Sequence, residues 1–566
     1  MALPAIKSWR GRRHHWRIVA VAAGCLAAAW CYAPALHAYF IEDDFPLLAL
    51  ARMLHQPWQV FYHDHFPGSL FFRPLGVFVW WLTAAAFGTA ARGEYAVNLA
   101  LHLGCILALY TLLQCLRRGS SLNALWSSAF AVHPVAIGTA LWLSDRFDLL
   151  ATMFSLFGLA AAVAYVQRPR ARMLAALLLC LLLAFAGKEI ALVGALAAGA
   201  LIMLPNRDWP LTPAQRWPAV AAIALLIGAW LAYRAAMMSH SQNTLVHLDS
   251  FGAMLATGIA AWLRVGYEYF VVDPRQALAA TAAQAVGAAL MVLAITVCAR
   301  TRRVRATAWG VAAAVAILLL LPGPTQAPVV AITVPAGWTE RNWFEVAIES
   351  RLYHISLAGF IVALMLLTTR ASGAGSDRQF TRIDCLAAAG LALMMAAWIP
   401  ASHALAHDYA SHTRGQIAPL QAARAAIARL HLAPGRCQIY LLDTAALRGF
   451  GGNGDAMIKA TTADLTRLEH CLVLTERTPW ANFIRAGSAA DFSPLRPLTH
   501  AGAPVPWLVL GDFELAYLDL DADVDARAID GAAFLEFRDG AFHDVTADVR
   551  SGARPVHFYN ARPDQK

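Results

Sequence analysis

Long apolar runs separated by short basic clusters fill the first four hundred positions of the chain. Runs able to cross roughly 30 Å of hydrocarbon, which takes about 20 helical residues, occur near 18–37, 95–116, 121–142, 147–166, 217–236, 278–299, 306–321, 352–368 and 384–403. The run 173–204 would measure about 48 Å as one helix at 1.5 Å per residue, too long for one crossing. A charge at the bilayer centre costs roughly 2.5–3.5 kcal/mol. The pattern therefore predicts two spans broken at Gly187, Lys188 and Glu189, with the charged pair at an interface. Two further apolar stretches, 71–89 and 252–271, contain or adjoin Arg73, Arg92, Arg264 and Glu268 and carry Trp80, Trp81, Tyr267 and Tyr269. That mixture predicts helices lying along a membrane face or re-entering it.

After residue 403 the pattern changes. A helical periodicity over 416–430 is followed by strand-like QIYLL (438–442), CLVL (471–474) and PWLVLGDFELAYLDL (506–520), and Asp539-Gly540 between FLEF and FHDV is a two-residue hairpin signal. No repeat of 30–50 residues is visible, which argues against a tetratricopeptide array.

Composition agrees with the membrane reading: 59% of residues are hydrophobic and 14% charged, against about 25% charged in a soluble domain. This excludes a simple soluble enzyme. The first 402 residues hold 29 Lys plus Arg and 17 Asp plus Glu, and the remainder 16 and 19. The basic excess sits in short clusters between apolar runs, which orients helices in a membrane and argues against a nucleic-acid partner. Arg117/Arg118, Arg168/Arg170/Arg172, Arg207/Arg216, Arg300/Arg302/Arg303/Arg305 and Arg370/Arg378/Arg382 all fall on the cytoplasmic side, together with the N-terminus, if there are eleven spans; thirteen would invert several of these loops. Lys7, Arg10, Arg12, Arg13 and Arg17 before an apolar stretch ending near Ala38 imitate a signal peptide, but the length of the run and the spans that follow favour an uncleaved first helix. The predicted fold is a polytopic α-helical membrane protein of about eleven transmembrane helices (1–403), set in a bacterial inner membrane, with an extracytoplasmic α/β domain (404–566). The loops 38–94, 143–146, 187–189, 237–277 and 322–351 then face outward, 38–94 carrying interfacial helices and 322–337 reading as a mobile, Pro- and Gly-rich segment. Seven of the nine cysteines lie in or beside apolar runs and show no metal spacing; Cys437 and Cys471 are available to form a disulfide if the tail lies outside the cytoplasm.

Polar chemistry gathers in these outer segments. YFIEDDFP (39–46) places Glu42, Asp43 and Asp44 where the chain leaves the first span. Such acids either cap the next helix or perform chemistry. FRPL (72–75) opens the first interfacial stretch, and FAVHPV (130–135) precedes WLSDRFDL (142–149), GKE (187–189) and, before a late span, ESRLY (349–353). His133-Pro134 reads first as a helix break. Asp148, one turn into a span, needs a partner such as Arg146, or a cavity. Arg146, Lys188, Arg264 and Arg351 either snorkel to headgroups or bind an anion. His63, Asp64 and His65 have no third ligand nearby and read as a solvated loop.

In order, spacing and sidedness these segments, within roughly residues 15–370, resemble the GT-C superfamily of polyprenyl-phosphate-sugar-dependent glycosyltransferases. The likeness is to the protein O-mannosyltransferase-like branch that includes the transmembrane tetratricopeptide-repeat mannosyltransferases, without the repeats. The resemblance implies inverting transfer of a sugar from a polyprenyl-phosphate donor to a hydroxyl of an extracytoplasmic glycan, lipid or protein. It implies Asp43 as the base taking the hydroxyl proton, with Asp44 assisting or holding a divalent cation such as magnesium or manganese. Cations facing the leaving phosphate would be Arg351 and Lys188, each beside a carboxylate, Glu349 or Glu189, together with Arg146 and Arg264. Glu42, Asp148, Tyr353, Arg73 and His133 would shape the cavity. The competing classes are a transporter or flippase of lipid-linked saccharide, which places ionisable groups on broken helices near the midplane, and a non-catalytic scaffold displaying the tail.

Overall fold

A computed structural model of the chain describes residues 5–41, 43–54, 56–62, 71–117, 120, 122–204, 211–237, 278–301, 309–322, 350–368, 382–430, 437–443, 471–475, 477–478, 482–486, 505–510, 513–518, 527, 531–556 and 559–560. Two compact units emerge: Met1–Leu36, Tyr95–Ala232 and Leu248–Tyr409 form the first, and His37–Glu94, Tyr233–His247 and Ala410–Lys566 the second.

The first unit is helical and built for lipid. Among the described residues, five helices are long and apolar enough to cross a membrane: Arg17–His37, Ala91–Leu116, Leu143–Gln167, Pro213–Met237 and Arg382–Arg429. A bent pair, Leu122–Val132 and Pro134–Leu141, makes a sixth candidate, and Ala171–Gly187, Ala191–Met203, Ala285–Val297, Trp309–Leu320 and His354–Thr368 are shorter apolar helices. The chain is a polytopic helical membrane protein. Leu26, Leu179, Leu225 and Val292 lie exposed on its helices, as lipid-facing positions do, because no water need be excluded there.

Breaks occur where residue chemistry demands them. At His133-Pro134 the helix bends by 55°, since proline removes an amide donor and its ring clashes with the preceding turn. The freed end is capped locally: His133 Nδ1 accepts from the Val135 amide at 3.1 Å. The long run expected to break near Lys188 does so, one helix ending at Gly187 and the next beginning at Ala191. A Cβ on Gly187 would lie 3.1 Å from the Ala151 nitrogen and 3.3 Å from Leu150 Cβ. Glycine there lets Ala171–Gly187 close tightly onto Arg146–Gln167. At the far end of the bundle Arg117 Nη2 pairs with Asp384 Oδ1 at 3.1 Å, tying the end of Ala91–Leu116 to the start of Arg382–Arg414.

The second unit holds the helices Asp44–Met53 and Pro74–Phe87 and, among the described residues, nine strands. Pro74–Phe87 has 14 residues, about 21 Å at 1.5 Å per residue, short of the hydrocarbon thickness; it begins on proline, which suits a first helical position. The other expected interfacial stretch, 252–271, lies outside the described residues, as does most of the loop 322–337. The helix expected over 416–430 forms as Ile417–Arg429. Strands β1 (Cys437–Leu442), β2 (Cys471–Thr475), β7 (Ala532–Arg538) and β8 (Ala541–Asp544) make a sheet in the order β2-β1-β7-β8, with β1 parallel to both its neighbours and β7/β8 antiparallel. The hairpin forms at Asp539-Gly540, with φ of 52° and 77°; two successive positive φ angles match the right-handed twist of the strands, and glycine takes its share without strain. Five further short strands are described: β3 (Arg477–Thr478) pairs with β9 (Tyr559–Asn560), while β4 (Asn482–Ala486), β6 (Phe513–Leu518) and β5 (Val505–Leu510) form a sheet in that order. Within the run 506–520, read from sequence as one strand-like segment, the described residues form two antiparallel strands, Val505–Leu510 and Phe513–Leu518, with Leu510 opposite Phe513.

Candidate functional site

In the first unit, the start of Arg146–Gln167 and the end of Ala171–Gly187 come together in an antiparallel pair. Trp142 is extended (φ −73°, ψ 115°), so the chain leaves the helix Ile137–Leu141, makes a 3-10 turn over Leu143–Asp145 and re-enters a helix at Arg146. This puts Asp145 just before that helix and Asp148 in its first turn, where carboxylates favour the positive end of the helix dipole. Lys188 follows the C-terminus of its own helix, where a cation is favoured for the same reason. The ammonium of Lys188 donates to Asp148 Oδ2 and lies 3.6 Å from Asp145 Oδ1.

Arg351 enters from the turn Ser350–Tyr353. Its Nε is 3.9 Å from Asp145 Oδ1, its guanidinium carbon stands 4.2 Å above the Trp142 ring, and its carbonyl accepts from Thr139 Oγ1 at 3.4 Å. Asp145 is thus shared by two cations whose side chains are 13% and 12% exposed. Asp145 Oδ2 and Trp142 Nε1 are buried and have no hydrogen-bond partner among the described residues. One is an acceptor and the other a donor, both beside the two cations.

The wall behind is polar. Arg146 is fully buried, and its Nε donates to Asn98 Oδ1 at 3.1 Å while Asn98 Nδ2 donates to the Trp142 carbonyl at 3.2 Å. His354, one residue beyond the buried Tyr353, sets Nδ1 3.4 Å from Thr152 Oγ1, one helical turn from Asp148. His133 is also buried, its ring 4.4 Å from that of Trp398.

Of the residues singled out from sequence, the structure brings Lys188, Arg351 and Asp148 into one cluster, with Arg146 and Tyr353 adjoining in the chain. The carboxylates set against Lys188 are Asp148 and Asp145, where the sequence reading named its neighbour Glu189. Asp145 was overlooked although it lies inside WLSDRFDL; a carboxylate three residues before Asp148, on the same side of a helix start, was the available signal. Asp43, Asp44 and Arg73 belong to the second unit. Asp43 is exposed and directly precedes the helix Asp44–Met53. Asp44 is fully buried, its Oδ2 accepting from the Ile41 amide at 3.0 Å. Arg73 stands 4.0 Å over the Phe71 ring at the head of Pro74–Phe87. Glu42, Arg264, Glu349 and the segment 63–65 lie outside the described residues. Among the described residues no three His, Cys, Asp or Glu side chains gather to ligate a metal, and one oxygen of Asp44 is already engaged by a backbone amide.

No protein-family model matches the chain, and no curated protein sequence does. Among solved structures, ArnT from Cupriavidus metallidurans bound to undecaprenyl phosphate is similar over 89% of this chain and 98% of that one, at 13% identity and a TM-score of 0.39. A likeness so distant fixes neither fold nor chemistry.

Proposed function

We propose that the chain is a membrane glycosyltransferase of GT-C type, moving a sugar from a polyprenyl-phosphate carrier to an extracytoplasmic hydroxyl with inversion at the anomeric carbon. The observation that carries this reading is the buried cluster in which Lys188 and Arg351 stand over Asp145 and Asp148, with a donor and an acceptor beside them that have no hydrogen-bond partner among the described residues. Buried polar atoms are almost always satisfied; Trp142 Nε1, a donor beside two cations, suits an anionic oxygen, and Asp145 Oδ2, an acceptor, suits a donor such as a sugar hydroxyl. A lipid phosphate is the anion a membrane presents at that depth.

In this reading the carboxylates hold the two cations in place while no donor is bound. The entering phosphate draws on the same cations, and they stabilise the charge that grows on it as its bond to the sugar breaks. Arg146, held by Asn98, keeps the first turn of its helix in position. Asp43 takes the proton of the acceptor hydroxyl as its oxygen attacks the anomeric carbon opposite the leaving phosphate. Asp44, Glu42, Arg73, Arg264, Glu349 and Glu189 take supporting places by the resemblance, and a divalent cation is not required by any of these steps. The site faces outward from a bacterial inner membrane, with the N-terminus cytoplasmic and the tail periplasmic.

The test uses the full chain in lipid nanodiscs with polyprenyl-phosphate sugars and periplasmic glycan, lipid and protein fractions as acceptors. Asp43→Asn should fold normally and lose transfer by a hundredfold or more; undiminished transfer removes the proposed base. A transporter of lipid-linked saccharide is the second reading, favoured by ionisable groups gathered where helices break. Transbilayer movement of donor without its consumption would select it.

A further inference from the structure

The cysteines form two populations. Seven lie at positions 25, 31, 105, 115, 180, 298 and 385, in or beside apolar segments of the first unit, and the remaining two are Cys437 and Cys471. These two lie 34 positions apart in the chain, yet each is the first residue of its strand, and the parallel pairing of β1 with β2 begins with Cys437 opposite Cys471.

Neighbouring strands run about 4.8 Å apart, inside the roughly 4.4–6.8 Å range of Cα separations that a disulfide joins. Residues at one register position of adjacent strands lie on the same face of the sheet, because faces alternate along each strand with a period of two. A slip of one residue in register would place the cysteines on opposite faces.

We propose that Cys437 and Cys471 form a disulfide that closes residues 438–470 into a loop and locks the register of β1 and β2. The inference rests on the periplasmic placement of the tail given above, since a cytoplasmic tail would meet a reducing medium. The two thiols give up two protons and two electrons as the S–S bond forms, and the electrons pass by thiol–disulfide exchange to a periplasmic dithiol oxidase whose own disulfide is reduced.

Disulfide formation is read on the full chain isolated from membranes, with free thiols alkylated under denaturing conditions before digestion by trypsin. The peptides CQIYLLDTAALR and LEHCLVLTER should be recovered joined, and should separate only after reduction, while Cys385 is alkylated at the outset. In the Cys437→Ser variant Cys471 should become fully alkylated, and trypsin should cut within 438–470 faster in the native protein. An alkaline-phosphatase fusion after residue 410 fixes the compartment in parallel. Two alkylated cysteines with an active fusion overturn the disulfide alone; two alkylated cysteines with an inactive fusion overturn the periplasmic placement as well.

Discussion

Lys188 and Asp148 meet across two antiparallel helices, a cation from the C-terminus of one donating to an acid from the first turn of the helix before it, with Asp145 Oδ1 3.6 Å from the same ammonium. The pair is 40 positions apart in the chain and is held by the close approach that Gly187 permits.

Removing the cation takes the ammonium away from buried Asp148 and leaves Asp145 with Arg351 as its neighbouring cation. Lys188→Met should destabilise the membrane unit by about 3–5 kcal/mol, read as a lower unfolding temperature in detergent micelles. Lys188→Met combined with Asp148→Asn should recover most of that loss, because the buried charge goes with its partner, while transfer stays abolished in both. Equal stability of wild type and Lys188→Met would show that the pair does not hold the helices.

Arg351 contributes a planar face as well as a charge. Lysine in its place keeps the charge but has no flat guanidinium to lie 4.2 Å above Trp142, a contact worth about 0.5–2 kcal/mol. Arg351→Lys should slow sugar transfer by roughly tenfold, about 1.4 kcal/mol at the transition state, and Trp142→Leu should act in the same direction. Initial rates in nanodiscs check this; unchanged rates in both variants would leave the stacked arrangement without a catalytic part.

Acid should loosen the β7/β8 hairpin. Burial of Glu536 pushes its carboxyl upward, but hydrogen bonds from Arg554 and within the Asp443 group, with the charges of Arg554 and Arg538, outweigh burial and hold it below the ordinary 4.5. Arg554 Nε donates to Glu536 Oε1 at 2.6 Å and its Nη2 to Asp443 Oδ2 at 3.1 Å. A carboxyl lowered by folding adds stability that is complete above its unfolded value and is lost as pH falls through the folded one. Brief pepsin pulses on the full chain should therefore find 532–544 resistant above about pH 4.5 and increasingly cut below it. Arg554→Ala should move the onset to higher pH, and an onset unaffected by the substitution would rule out this linkage.

The apolar helices, the break at Lys188, the bend at His133-Pro134 and the turn at Asp539-Gly540 were legible in the sequence because each rests on local chemistry. Apolar length, the cost of a charge in hydrocarbon, a missing proline amide and a tolerance for positive φ act within a few residues. The partners of Lys188 were not legible. Successive helical residues point about 100° apart, so Glu189, next in the chain, had no special claim on that ammonium, whereas Asp145 and Asp148 reach it from another helix. The reversal inside 506–520 was hidden for a related reason, since its apolar residues read as one strand until the antiparallel pairing of Val505–Leu510 with Phe513–Leu518 separates them. Sequence alone determined that this chain enters a membrane many times and where its helices must stop. Tertiary packing decided which charges share a site, because a buried ion pair depends on distances of a few ångströms between segments that the chain order leaves far apart.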